Sequence, residues 1–204
     1  LSGFFYAQNQ YIFAQNLHVL SEIKEIMEVL SKGGTIIYPT DTVWGLGCDA
    51  TNESAVEKIF DLKKRKQNNP FIILIHDADQ LFDYVQDVPD IAFDLIELSE
   101  RPLTIVFEKG KNVAKNVLGT DGSIAIRVCS NDSCRELLKR YRKAIVSTSV
   151  NISGNSFSNR IEDMDPAIVE AVDAIYRPDY QITKNSPSQI IRINNDGSFT
   201  IIRK

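Results

Sequence analysis

The sequence predicts an α/β domain built on a mixed sheet. Segments with helical apolar spacing alternate with short β-branched runs along the chain, and no internal repeat or low-complexity linker interrupts them. The length of 204 residues and the 43% hydrophobic content fit one compact domain with a real core. The expected organisation is therefore a single domain over residues 1–204, with residues 1–16 as an N-terminal extension.

Each element has a local reason. Leu20, Ile23, Ile26, Met27 and Leu30 recur at helical spacing and Gly33-Gly34 follow, which predicts a helix from Ser21 to Lys32 with a glycine stop. Thr35 to Tyr38 reads as a buried strand ended by Pro39. Val56, Ile59, Phe60 and Leu62 define the apolar face of a helix from Glu53 to Lys63, with Thr51 or Asn52 as its cap. Phe71–Ile75, Leu103–Phe107, Ile124–Val128 and Ile145–Ser147 are predicted strands. Asp132–Arg142 and Pro166–Val172 are predicted helices, the latter with proline in its first turn. The run from Ile190 to Ile202 splits at Asn195-Asp196-Gly197 and reads as a hairpin.

Composition excludes several classes. A net charge of −4 argues against wholesale coating of nucleic acid, which draws on a lysine and arginine excess. Any RNA contact must use a local patch. Cys48, Cys129 and Cys134 form no C-x-x-C pair and suit a reducing compartment, and two histidines argue against a zinc site. No apolar run approaches the length that spans a bilayer, so the chain reads as cytoplasmic. Glycine loops of the Walker or dinucleotide type are absent, so a bound nucleotide must be held by another route.

Four groups of residues could carry chemistry. Tyr38 to Gly47 runs from a strand into a turn whose threonine hydroxyls and backbone could hold a small zwitterion, although Pro-Thr-Asp is also an ordinary turn. Lys63-Lys64-Arg65-Lys66-Gln67-Asn68-Asn69-Pro70 closes a helix with cations. Such a cluster complements the helix dipole, or neutralises a triphosphate. Ser147 to Gly154 brings hydroxyls and an amide out of a strand, as phosphate contacts or as turn formers. Arg127 lies in an isoleucine- and valine-rich strand, where a guanidinium requires an anionic ligand, a water-filled cleft or a core carboxylate.

Taken in order and in register, the Tyr-Pro-Thr-Asp-Thr block, Lys63 with Arg65, Ser149 with Asn151, and the final Arg203 resemble the YrdC family of threonylcarbamoyl-AMP synthases from about Ser21 to Arg203. The resemblance implies a twisted mixed β-sheet flanked by helices around a polar cavity. It also implies condensation of L-threonine, bicarbonate and ATP, with magnesium travelling on ATP, no permanent cofactor and no dedicated metal site. Carried over by residue, Thr42, Arg127, Ser147 and Ser188 would contact threonine. Arg65, Asn69, Ser123, Ser149, Asn151 and Arg203 would hold ATP, with Lys63 beside the reacting phosphate. The product would serve tRNA through a downstream threonylcarbamoyl transferase.

The chain departs from the family at Leu98-Ser99-Glu100-Arg101-Pro102-Leu103-Thr104, where Trp-Pro-Gly-Pro-Leu-Thr is usual. Lys66 and Cys129 stand where proline is common, and Gln189 follows Ser188 in place of threonine. The related YciO branch typically lacks the Lys-x-Arg and Ser-x-Asn pairs that this chain has. The rival reading is a non-catalytic RNA- or tRNA-binding protein using Lys63 to Lys66 and the basic stretch of Arg135, Lys139, Arg140, Arg142 and Lys143. Carbamoyl transfer in metalloenzyme maturation is a third, disfavoured by the chain's length and lack of zinc-ligand clusters. A lid over the labile product is expected from Gly154 to Arg160.

Overall fold

The structure, a computed structural model, describes residues 19–66, 70–154, 156, 158, 160–178 and 186–204. The expected N-terminal extension and part of the expected lid lie outside the described residues. Helix α1 occupies residues 19–31 and strand β1 follows at Thr35–Tyr38. Next come β2 (Gly45–Cys48), α2 (Glu53–Leu62), β3 (Ile72–Ile75), α3 (Leu81–Tyr84), α4 (Ile91–Glu97) and β4 (Leu103–Phe107). The remainder is β5 (Ile124–Val128), α5 (Asp132–Tyr141), β6 (Ile145–Ser149), α6 (Pro166–Ala171), β7 (Ala174–Ile175) and the hairpin β8 (Gln189–Ile193) with β9 (Phe199–Arg203).

Among the described residues nine strands form one mixed sheet in the order β7-β1-β2-β6-β3-β5-β4-β8-β9. The pairs β1/β7, β3/β5 and β4/β8 are parallel and the rest antiparallel. Helices cover both faces, and strand alternation divides the apolar residues accordingly. Ile37, Ile73, Ile105, Ile126, Val146 and Ile191 meet α2, α3, α4 and α6 through Ile59, Tyr84, Ala92 and Ile168. Ile36, Tyr38, Leu74 and Ile145 meet Ile23, Ile26 and Leu30 of α1 and Leu137 and Leu138 of α5. Leu20, expected on the buried face of α1, is exposed.

Local signals explain the helix ends. Asn52 caps α2, its side-chain oxygen accepting from the amide of Ala55 at 3.0 Å, while Thr51 donates to Asp49 instead. Asn131 caps α5 through the amide of Cys134. Burial alone would raise the Asp49 carboxyl pKa, but hydrogen bonds from Lys143, Thr51 and Tyr141 outweigh it and hold the group below its ordinary value. That carboxylate ties the end of α5 to β2. All three cysteines are free and buried.

Strand β2 was not expected, because glycines weaken a strand signal. The sheet requires them here. The hydroxyl of Tyr38 on β1 reaches across β2 to donate to the carbonyl of Val146 on β6 at 2.9 Å. A Cβ at Gly47 would lie 2.1 Å from that same carbonyl and 2.7 Å from the Tyr38 ring. Gly47→Ala is therefore expected to destabilise the fold by about 3 kcal/mol, read as a lowered urea midpoint.

Candidate active site

The sheet face beneath α1 and α5 changes character along its strands. On β3 and β6 the covered positions Leu74 and Ile145 give way to Ile72 and Ser147. On β5 and β4 the same face carries Arg127, Ala125 and Val106, whose neighbours Ile126 and Ile105 point into the other core. Among the described residues no helix covers this end, and a cavity of about 650 Å³ opens on it. That volume lies within the usual range for small-molecule sites.

Three arginines, Arg65, Arg127 and Arg203, line the cavity, together with the hydroxyl-bearing residues Thr40, Thr42, Ser147, Thr148, Ser149 and Ser188. Among the described residues no carboxylate side chain is in its lining. Arg127 is 4% exposed and its Nη2 lies 3.4 Å from Oγ1 of Thr42. Its Nε stands 3.2 Å from Oδ1 of Asp41 as a charge contact without the alignment of a hydrogen bond. Arg203 donates from Nε to the carbonyl of Ser188 at 3.0 Å and from Nη2 to its hydroxyl at 3.3 Å. Burial lowers the guanidinium pKa at Arg203, and the charge of Arg127 adds to the effect. An anionic ligand relieves this concentration of positive charge.

Arg65 reaches the cavity because of how α2 ends. Lys64 adopts a left-handed φ of 48°, and the amide of Arg65 donates back to the carbonyl of Phe60, closing the helix in a Schellman turn. The guanidinium then sits 4.8 Å above the Phe71 ring and donates to the carbonyl of Pro70 at 3.0 Å. Burial lowers its pKa.

Lys63 turns the other way. It is 2% exposed, does not line the cavity, and donates from Nζ to the carbonyls of Ser149 and Asn151, each at 2.6 Å, and to Oδ1 of Asn151 at 3.2 Å. Its three hydrogens thus hold the chain leaving β6, where the Ser149 hydroxyl also donates to Asn151 Oδ1. Burial, with the charge of Arg65 adding, brings its pKa down from 10.5 to about 8. The sign follows from linkage. As pH rises from about 8 to 10.5 the folded form releases a proton that the unfolded form keeps, so stability rises by up to about 3 kcal/mol. Urea denaturation across that window should show this rise in the native protein and not in Lys63→Met. An equal response in both would mean that the three oxygen partners hold the ammonium charged.

The residues expected from sequence are distributed as follows. Thr42, Arg65, Arg127, Ser147, Ser149, Ser188 and Arg203 converge on the one cavity. Asn151 lies behind Ser149 with Lys63. Ser123 shares the face of Arg127 on the chain entering β5, but its amide turns to Asp121 and it is outside the cavity lining. Asn69 lies outside the described residues. Of the partners the sequence left open for Arg127, the structure supplies a buried carboxylate, Asp41, beside the cavity that the guanidinium lines. Thr104, which the sequence did not mark, is fully buried behind the site with its hydroxyl 2.8 Å from that of Ser188. It pairs with Arg127 across β4 and β5, and that register is the signal that could have found it.

The departures at Ser99 to Pro102 and Cys129 fall together on a neighbouring cavity of about 280 Å³. Cations of the basic helix have local partners: Arg140 pairs with Glu136, Lys143 with Asp49, and Arg135 donates to the carbonyl of His76. Among the described residues no cluster of three or more His, Cys, Asp or Glu is placed to hold a metal ion. Nor is any described helix long and apolar enough to cross a membrane.

Fold and cavity together define an α/β domain with helices on both sides of a mixed sheet and an arginine- and hydroxyl-lined pocket suited to anionic small molecules. The chain belongs to the Sua5/YciO/YrdC family, whose model, described as telomere recombination, matches residues 28–204. A protein of Idiomarina loihiensis named threonylcarbamoyl-AMP synthase is 34% identical over 147 residues, which is 71% of this chain and 79% of that protein. Among solved structures, P. abyssi Sua5 complexed with L-threonine matches with a TM-score of 0.79 and 26% identity over 89% of this chain. This chain spans 53% of that protein's length. E. coli YciO matches with a TM-score of 0.74 and 27% identity over 93% of this chain and 89% of its own.

Proposed function

We propose that this chain is an L-threonylcarbamoyladenylate synthase, condensing L-threonine, bicarbonate or CO2, and ATP to threonylcarbamoyl-AMP with release of pyrophosphate. The observation that carries the proposal is the convergence of three arginines and several hydroxyl-bearing residues on one cavity. The names of the relatives and the threonine bound to Sua5 support the choice of substrates.

In this reading Arg127 receives the threonine carboxylate, and the hydroxyls of Thr42, Ser147 and Ser188 surround the amino acid. The amine nitrogen bonds to the carbon of CO2 and gives up a proton to solvent, leaving a carbamate. A carbamate oxygen then bonds to the α-phosphorus of ATP as the bond to pyrophosphate breaks. Arg65 and Arg203 neutralise the charge that develops on the phosphates, with Ser149 beside them; Asn69 and Ser123 remain proposed nucleotide contacts from the family resemblance alone. Lys63 contributes by holding Ser149 and Asn151 in place, so positioning and charge neutralisation supply most of the rate. Magnesium arrives on the triphosphate.

In this reading the product is labile and serves a downstream transferase that modifies adenosine in tRNA to threonylcarbamoyladenosine, a role that supports a cytoplasmic location. Purified protein should release pyrophosphate only when L-threonine, bicarbonate and ATP are all present. RNA binding without any such turnover would favour the non-catalytic reading.

A further inference from the structure

Arg127 is gripped from behind. Its Nε stands 3.2 Å from Oδ1 of Asp41, and both side chains are only 4% exposed. The other carboxylate oxygen, Oδ2, accepts from the amide and from the hydroxyl of Ser130, each at 3.3 Å. Asp41 does not line the arginine-bearing cavity. It belongs, with Ser130, to the wall of the neighbouring smaller cavity. A dry guanidinium and a dry carboxylate persist together only when each compensates the other.

This arrangement has a directional consequence. A guanidinium is a planar fork, and a buried carboxylate charge held on its Nε side favours the orientation that leaves the terminal nitrogens to the cavity, although the contact is a charge contact and not an aligned hydrogen bond. Those nitrogens are the ones that bind a carboxylate with two parallel hydrogen bonds. Thr42 sits beside one of them, 3.4 Å from Nη2. We infer that Asp41 is a positioning residue for the substrate carboxylate, acting through Arg127, and that Ser130 anchors Asp41 in turn. The inference rests on the reading that Arg127 receives the carboxylate of the amino acid.

The experiment measures the threonine KM and the ATP KM by pyrophosphate release, and threonine binding by calorimetry. The proteins are the native chain, Arg127→Ala, Asp41→Ala, Asp41→Asn, Ser130→Ala and the Asp41→Ala/Arg127→Ala double variant. Asp41→Ala should raise the threonine KM and dissociation constant by about tenfold or more and leave the ATP KM within about twofold. Asp41→Asn, which keeps an oxygen beside Nε without the charge, should fall between Asp41→Ala and the native protein. In the Arg127→Ala background the second substitution should add nothing, because the residue it acts through is gone.

A role in folding alone would lower the melting temperature and move all kinetic constants together, and that result would overturn the inference. So would multiplied losses in the double variant, or a threonine KM raised by Arg127→Ala but untouched by Asp41→Ala; in those cases the carboxylate role of Arg127 survives. If Arg127→Ala itself leaves the threonine KM unchanged, the underlying reading fails, and the inference with it. Should Asp41→Ala not fold, Asp41→Asn and Ser130→Ala carry the test. Both are expected to raise the threonine KM with kcat preserved, and no change in either overturns the chain of contacts.

Discussion

Arg65→Ala is expected to lower threonine-dependent pyrophosphate release by on the order of 100-fold or more, mostly in kcat. Arg65 lines the cavity and is fixed by the Pro70 carbonyl and the Phe71 ring, so it meets a phosphate without further ordering. The stability cost should be small, about 1 kcal/mol for the lost cation–π contact. Arg140→Ala is the control, because Arg140 is exposed and pairs within its helix with Glu136, an arrangement worth about 0.5 kcal/mol. Normal turnover in Arg65→Ala would remove this residue from the reaction and leave it as a surface cation over an aromatic ring.

The second large effect belongs to Arg127→Ala, which should raise the threonine requirement by about 30-fold or more while the ATP requirement changes little. The same substitution leaves Asp41 buried without its cation, so a loss of about 3 kcal/mol in stability is expected alongside. Threonine titrations at saturating ATP, and ATP titrations at saturating threonine, separate the two requirements. Equal losses for both substrates would contradict an amino-acid carboxylate as the partner of Arg127.

Much of the sheet was legible because buried strands such as Ile124–Val128 announce themselves by β-branched content, and α2 and α5 by spacing and caps. Strand β2 was hidden, since Gly45-Leu46-Gly47-Cys48 reads as a turn until the Tyr38 ring and the Val146 carbonyl show why no side chain fits there. The short helices α3 and α4 have too few turns to establish a period.

The site followed the same division. Arg127 stood out as a charge in an apolar strand, and its pocket neighbours matched a recognisable set of motifs. Its pairing with Asp41 did not stand out, because that contact depends on the loop after β1 packing beside the end of β5. The opposite directions of Lys63 and Arg65 were equally hidden. They depend on Lys64 adopting a left-handed conformation that residue type does not favour.

The most direct test of the central claim supplies carbon-labelled bicarbonate with L-threonine and ATP and identifies the adenylate by mass spectrometry. The account predicts an adduct of AMP that contains threonine and the bicarbonate carbon, formed together with pyrophosphate and absent when threonine is omitted. AMP joined to threonine without the labelled carbon, or ATP consumption that does not depend on threonine, would contradict it.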